Sequence, residues 1–359
     1  MRDALRSGLE WTQQSARVIG ALTPSGFLCD WRELDNKIEA FRLFQYADRE
    51  IQMPANRPAS TVFARAPVGE TFRSIWVLEG SGHMAGLAAS LTVQGLLTDA
   101  NAANLPDTAL IPLHAGMGTA FAEKLFAGLS SSPTMPEISK TVARFVDICR
   151  ANCRPGWEDA CMEPLGLVVR CLHPNLLGPV SVAMEALSPQ LRTLLWHGVG
   201  RGLYFAPTNF LPIPLARKRI IQGVAEEAGN IEDRRNVLAG YIWATTLVNL
   251  PYTDLIRSVA AACSELKLRN EFTNGLTSAL MAWRHMAPDD LRYTGNFTQP
   301  HAGRSNDAIL WNEWVATPVR LALEDIFPGM KRSNKIPALY TYRTYEELRR
   351  LSVVPEAAE

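Results

Sequence analysis

The sequence predicts an all-α protein built from tandemly duplicated helical pairs, arranged as an α-solenoid or a closed α/α toroid. Apolar segments that open with glycine recur along the chain, and no strand pattern competes with them. Sustained alternation of apolar and polar residues is absent, and the one hairpin-type pair, Asn274-Gly275, lies between helix-like runs.

The recurring segments come at matched intervals. The first pair is "EGSGHMAGLAASL" from Glu79 and "HAGMGTAFAEKLF" from His114, and the second is "EPLGLVVRCL" from Glu163 and "HGVGRGLYFAP" from His197. The two glutamates are 84 residues apart and the two histidines 83, so the step from Glu to His is 35 and then 34. Repeats of this length are typical of stacked helical hairpins. We therefore expect a tandem duplication, with a partial further copy at Gly240.

Breaks in the amphipathic pattern divide the chain into three regions. Residues 1–70 contain amphipathic pieces such as "WRELDNKIEAFRLFQYA", broken by the Pro and Asn cluster "MPANRPAS". We interpret them as an N-terminal helical arm and linker. Residues 71–260 form the predicted duplicated core, and residues 261–359 a C-terminal helical region packed on it.

The stretch "IWVLEGSGHMAGLAASLTVQGLL", residues 75–97, is long enough to cross a bilayer, but Glu79 and His83 near its start favour a helix buried in protein. Each glycine on it costs about 1 kcal/mol of helix propensity relative to alanine. Small residues let a neighbouring helix or a ligand approach the backbone closely, so we expect an internal helix here, with His83 as a packed histidine.

The charge balance argues against two classes of binding partner, nucleic acid and anionic membranes. Lys plus Arg and Asp plus Glu number 36 each, so no net charge attracts nucleic acid or an anionic membrane. The six cysteines lack the paired spacing of zinc sites, and the N-terminus has no apolar secretory segment. These features predict a cytoplasmic chain with reduced thiols.

Four short motifs occur in order and resemble a known family. They are Glu79-Gly80, the run from His114 through Gly116 and Gly118 to Ala120, then Glu163, and finally Gly198 and Gly200-Arg201 followed by Tyr204-Phe205. This order, over residues 70 to 260, resembles the bacterial domain of unknown function 1702, the UnbL-like proteins found near enediyne biosynthesis cassettes. The chain departs from the family pattern by reading Met162-Glu163-Pro164 at the second acidic position. The resemblance implies a role in bacterial natural-product biosynthesis.

The candidate catalytic residues are Glu79, His114, Glu163 and Arg201. A carboxylate in an apolar run must be paired, protonated or ligating, and a histidine at a helix start can act as acid or base near neutral pH. We expect Arg201 to pair with one glutamate and leave the other with a raised pKa. The alternative is structural: helix caps and a buried ion pair that hold two repeats together.

A second set is predicted to bind substrate between the repeats. Its members are small or aromatic residues of the same motifs: Gly80, Gly82, Gly116, Gly118, His197, Gly200, Tyr204 and Trp243.

Three function classes remain open from the sequence. The first is an enzyme of cyclase, isomerase or lyase type that acts on a small apolar biosynthetic intermediate by acid/base chemistry without a cofactor. The second is a non-catalytic helical-repeat scaffold or carrier protein. In either case a homodimer or a complex with a pathway partner is expected as a possible assembly. The third is a carboxylate and histidine metal oxygenase; because the Glu-x-x-His spacing of di-iron helices is missing, we expect no metal.

Overall fold

The computed structural model describes residues 2–22, 28–50, 72–98, 102, 105–206, 209 and 216–353. Every regular element in these ranges is helical and none is a strand, so the all-α prediction is confirmed. The linker predicted at residues 53–60 lies outside the described residues.

The helices fall along the chain as follows. The first half contains α1 (Arg2–Leu22), α2 (Leu28–Gln45), α3 (Ala47–Glu50), α4 (Phe72–Ala88), α5 (Leu110–Phe126), α6 (Met135–Asn152), α7 (Glu158–Met162), α8 (Pro164–Leu172) and α9 (Leu177–Leu187). The second half contains α10 (Pro189–Phe205), α11 (Arg217–Glu226), α12 (Ile231–Val248), α13 (Thr253–Glu265), α14 (Arg269–Met286) and α15 (Leu291–Thr298).

Residues 306–332 are helical throughout. They comprise α16 (Asn306–Trp311), α17 (Thr317–Leu321) and α18 (Phe327–Arg332), which are joined by the π-helical turns Asn312–Ala316 and Ala322–Ile326. The last helix is α19 (Tyr345–Ser352), and short 3-10 turns lie at Asp107–Ala109, Pro174–Leu176 and Ile336–Tyr340.

Local sequence sets the starts of the helices that carry the site. Ser188 caps α10 by accepting a hydrogen bond from the Gln190 N–H, and Asn230 caps α12 by accepting one from the Asp233 N–H. Helix α8 opens with Pro164, which lacks an N–H and fits the first helical turn. Glu163, the single residue between α7 and α8, keeps helical backbone angles (φ −56°, ψ −40°), so the chain runs from one helix into the next without a loop.

The central helices form a row in which each packs on the next: α4 on α5, α5 on α8, α8 on α10, α10 on α12, and α12 on α14. One continuous apolar core runs along this row. The end of α14 also contacts the 3-10 turn before α5, where the His285 Nε2 lies 2.9 Å from the Asp107 carbonyl oxygen. Whether the row is a solenoid or a toroid, as the sequence predicts, stays a prediction.

The predicted N-terminal arm is docked on this row. Helix α2 packs against α4, α12 and α13, and the buried Asn36 amide donates to the Asn249 side chain at 2.9 Å. At the other end, the predicted boundary at residue 260 falls inside α13.

None of the described helices combines the length and the apolar content that crossing a membrane requires. In the stretch 75–97, helix α4 ends at Ala88 and is packed against α5.

Candidate functional site

Helices α4 and α5 cross at paired glycines. A Cβ atom on Gly82 would lie 2.2 Å from the Leu113 carbonyl oxygen, and one on Gly116 would lie 1.8 Å from the Glu79 carbonyl oxygen. Each glycine comes three residues after the residue whose carbonyl faces the other glycine. Only glycine permits so close an approach of the two backbones.

The same reciprocal contact recurs at two further crossings. Between α8 and α10, Gly166 faces the Leu195 carbonyl and Gly198 faces the Glu163 carbonyl. Between α10 and α12, the matching pairs are Gly200 with Val237 and Gly240 with His197. The polar residues Glu79, Glu163 and His197 therefore occupy equivalent positions, each at the point of closest approach of its helix pair.

Their side chains meet around Arg201. The guanidinium donates through Nη1 to Glu163 Oε2 at 2.6 Å and through Nη2 to Glu79 Oε1 at 3.0 Å. The His197 Nδ1–H donates to the other Glu163 oxygen at 2.7 Å. We call these four residues the Arg201 network. It is buried, with the Glu163 side chain fully enclosed and Glu79 the most exposed at 13%.

Glu163 and Glu79 share one guanidinium, but the pKa values of their carboxyl groups shift in opposite directions. Burial opposes charge on Glu163, but Arg201 and His197 outweigh burial and lower the pKa of that carboxyl group. For Glu79, burial dominates, Arg201 offsets it only in part, and the Glu163 charge adds to it, so the pKa of Glu79 is raised. Burial also works against charge on Arg201, yet the two carboxylates raise its pKa above the usual value.

Aromatic side chains pack behind the network. The Arg201 guanidinium lies over the Trp243 ring, 4.9 Å from its centroid, and His197 meets both Trp243 and Tyr340 edge to face. Burial raises the pKa of the Tyr340 hydroxyl. This apolar backing keeps water from the inner side of the network.

On its outer side the network opens into an apolar cleft of about 630 Å³. Glu79 and Arg201 line it, whereas Glu163 and His197 do not. The described residues that line it are Leu9, Ala40, Phe41, Phe44, Gln45, Trp76, Glu79, Thr119, Glu123, Leu167, Val168, Cys171, Leu172, Arg201 and Phe205. The volume falls within the range of small-molecule sites, roughly 300–1,000 Å³.

Of the four predicted catalytic residues, the structure brings together Glu79, Glu163 and Arg201 but not His114. The His114 Nε2 accepts a hydrogen bond from the Arg154 backbone N–H at 3.1 Å, so Nδ1 carries the proton and donates to the Leu110 carbonyl at 2.7 Å. The ring stacks on Trp157, and burial lowers its pKa to about 4. Both ring nitrogens are used by the backbone, and His114 has no free position for acid or base chemistry.

The histidine of the network is His197. The sequence predicts a substrate-binding role for this residue, and the 83-residue interval pairs it with His114 in the repeat. The glycine contacts give a different register for the second helix of each pair: Leu113 corresponds to Leu195 and Gly116 to Gly198, an interval of 82. The counterpart of His114 is thus Trp196, and that of His197 is Ala115.

None of the eight residues predicted to bind substrate lines the cleft. Gly82, Gly116 and Gly200 lie at the helix crossings described above, and two further glycines face other backbone carbonyls: Gly80 that of Phe44, and Gly118 that of Cys161. The aromatic members Tyr204 and Trp243 are buried, and so is His197. The five glycines serve close packing of helices, and His197 belongs to the Arg201 network.

Apart from Glu79 and Arg201, sequence reasoning missed the residues that line the cleft. The lining comes from α1, α2, α4, α5, α8 and α10, and the contribution of Leu9, Phe41 and Phe44 depends on the docking of the N-terminal region. In the structure Phe41 is a large apolar residue that stays exposed on α2, a sign of a binding surface that the sequence alone does not show. His83, expected to be a packed histidine, is buried with its Nε2 2.8 Å from Glu123 Oε2.

Within the described ranges, no group of three or more His, Cys, Asp or Glu side chains is placed to hold a metal ion. Comparison of the chain with protein-family models, with curated proteins and with solved structures finds no match.

Proposed function

We propose that this protein is an enzyme that acts on a small apolar molecule by proton transfer, in a reaction of cyclase, isomerase or lyase type, with Glu79 as the acid and base. One observation carries the proposal: a carboxyl group with a raised pKa faces an apolar cleft of small-molecule size. A carboxylic acid that stays protonated closer to neutral pH can donate its proton where an ordinary surface glutamate is already ionised.

Glu79 performs both halves of such a reaction. Arg201 binds one of its oxygens, Oε1, which fixes the carboxyl group where it lines the cleft, and Oε2 takes no hydrogen bond from Arg201. The neutral acid protonates a double bond or a carbonyl oxygen, and the resulting carboxylate then removes a proton from carbon. The net change is a rearrangement or ring closure that consumes no cofactor.

The remaining network residues position this group. Glu163 holds the Arg201 guanidinium through Nη1, and His197 holds the second Glu163 oxygen. Because these hydrogen bonds are buried and hold both terminal nitrogens of the guanidinium, they restrict Arg201 to one orientation. The motif resemblance to domain of unknown function 1702 supports a substrate from bacterial natural-product biosynthesis.

A second candidate is a carrier that holds an apolar molecule in the same cleft without changing it. The observation that favours it is that the Arg201 network joins α4, α8 and α10, which is what a purely structural ion-pair network does. Loss of chemistry without loss of folding separates the two candidates.

The test replaces the native gene in its host with a Glu79→Gln variant and compares metabolite extracts by mass spectrometry. Glutamine keeps the shape and the Arg201 hydrogen bond but cannot transfer the proton. We expect the product to fall about 100-fold or more, with its precursor accumulating, because positioned acid/base groups contribute about 10²–10⁴-fold.

The matched control is Glu265→Gln, which removes the same charge from an exposed residue that pairs with Lys218 at the surface. This variant should give normal product. If the folded Glu79→Gln protein also gives normal product, the carrier function replaces the enzymatic one.

A further inference from the structure

The lining of the cleft is rich in aromatic side chains and contains more acidic than basic residues. Four aromatic side chains line it: Phe41, Phe44, Trp76 and Phe205. Among the described residues, two carboxyl groups line it as well, Glu79 and Glu123, against one cationic residue, Arg201.

Arg201 is already occupied. Its two terminal nitrogens donate to Glu163 and Glu79, so the guanidinium already has two carboxyl groups as partners before any ligand enters. An anionic head group would add a negative charge beside these two groups and would also face Glu123. A positive charge would instead be attracted by Glu123, and once Glu79 has given up its proton it would also balance the carboxylate that Arg201 leaves uncompensated.

The aromatic residues also favour a ligand with a positive charge. A cation is attracted to the face of an aromatic ring, and the attraction grows when the cation is withdrawn from water. Aromatic side chains combined with carboxylates are the usual surroundings of ammonium groups in binding sites.

We propose that the cleft selects apolar molecules that carry a positive charge, of the alkyl- or arylammonium class, and rejects the corresponding carboxylates. This selection rests on the same cleft as the proposed function and names the substrate class. A reaction at Glu79 that passes through a positively charged intermediate would gain from the same surroundings.

The experiment compares three probes with one chain length and three charges: octyltrimethylammonium, octanol and octanoate. Binding to the full chain is measured by isothermal titration calorimetry at neutral pH and low salt, below micelle-forming concentrations. We expect the ammonium ion to bind about tenfold more tightly than octanol, as a partly desolvated cation–π contact predicts, and octanoate to bind most weakly. Octanoate or octanol binding as tightly as the ammonium ion overturns the proposal.

Variants connect the preference to the two carboxylates. Glu79→Gln and Glu123→Gln should each reduce the advantage of the ammonium ion over octanol, while Glu265→Gln, with the same change of charge outside the cleft, should preserve it. The Glu123 side chain is about one-third exposed, so its substitution carries the test even if Glu79→Gln fails to fold. An advantage that survives Glu123→Gln unchanged contradicts the assignment.

Cys171 reports where the probe binds. It lines the cleft and is exposed, whereas Cys149, Cys153, Cys161 and Cys263 are buried. A probe bound in the cleft should slow alkylation of Cys171, measured on the peptide by mass spectrometry. If none of the three probes binds, both the cleft and the proposed function fail; if octanol and the ammonium ion bind equally, only the charge selection fails.

Discussion

Glu79 and Glu163 have the same side chain and share the same arginine, but the fold raises the pKa of Glu79 and lowers that of Glu163. Glu163 is fully enclosed and accepts hydrogen bonds from both Arg201 and His197, which favours its ionised form. For Glu79, burial disfavours the ionised form. The hydrogen bond from Arg201 offsets burial only in part, and the negative charge of Glu163 adds to it. The surroundings of Glu163 favour its carboxylate, and those of Glu79 favour its neutral acid form.

This difference predicts unequal effects of the same substitution. Glu163→Gln should cost about 3–5 kcal/mol of the free energy of unfolding, because it leaves a buried guanidinium short of one partner. Glu79→Gln should change that free energy by no more than about 1 kcal/mol, because Glu163 still neutralises Arg201. Urea denaturation at pH 7 measures both, and equal losses would contradict the division of roles.

The pH dependence has a definite sign. Since the pKa of Glu79 is raised in the fold, its contribution to stability is fully present below the ordinary value of 4.5 and is lost as pH rises through the raised value. In Glu79→Gln this loss should disappear. Urea denaturation at a series of pH values from acid to neutral measures the difference between the two proteins.

The contacts within the site could be predicted from sequence only to a point. Polar residues within apolar runs must find partners, which correctly indicated that Glu79, Glu163 and Arg201 meet. It did not show that Arg201 pairs with both glutamates. The histidine was misassigned because one residue of helical register rotates a side chain by about 100°, so an interval of 83 instead of 82 points His114 away from the network.

At the scale of elements, the reciprocal glycine pair is the unit that recurs. The sequence indicated close approach along α4 from its small residues, but not the partner helix or the spacing of the contact. The two copies also differ: Pro164 divides the second copy into α7 and α8, and α9 lies in its connection to α10. No helix is described between α4 and the 3-10 turn before α5. Superposition of the copies stays a prediction.

Glycine substitutions test the crossing. Gly116→Ala would place a Cβ atom 1.8 Å from the Glu79 carbonyl oxygen, so the helices must separate, and we expect a loss of at least about 3 kcal/mol of unfolding free energy. Chemical denaturation measures the change.

Gly178→Ala is the matched control. Gly178 is also helical, but no atom lies within 4 Å of its added Cβ, so the higher helix propensity of alanine should stabilise the protein by up to about 1 kcal/mol. Similar effects at both positions would mean that close backbone contact does not hold α4 and α5 together.

At the scale of the whole molecule, local sequence patterns predict the helices, whereas contacts between distant residues determine how the helices dock. The helical content and the glycine-rich core follow from periodicity and composition. The docking of α2 depends on pairs such as Asn36 with Asn249 and Glu33 with Arg217, whose members are about 200 residues apart and leave no local pattern. For the same reason the cleft, which α1 and α2 help to enclose through Leu9 and Phe41, was not predicted.

The buried His114 predicts sensitivity to acid. Its pKa of about 4 lies below the ordinary 6.5, so the unfolded chain binds a proton that the folded chain refuses. The contribution of His114 is intact above pH 6.5 and is lost as pH falls towards 4, by about 3 kcal/mol in all. His114→Gln should flatten this part of the stability profile, measured by urea denaturation at a series of pH values.

Trp157→Phe is the control for this prediction, because it changes the ring stacked on His114 and leaves the titrating group in place. It should lower stability at every pH and keep the slope. A slope unchanged in His114→Gln would assign the acid sensitivity to other groups.

The glycine crossings have a consequence for tolerance to sequence change. When a substitution near a helix end tilts that helix by a few degrees, each atom moves in proportion to its distance from the point about which the helix turns. For α4, α8 and α10 that pivot is the tight backbone contact, and Glu79, Glu163 and His197 provide the contacted carbonyls. The network therefore lies where such tilts displace atoms least, and the outer parts of these helices can accept new side chains while the distances around Arg201 stay nearly constant.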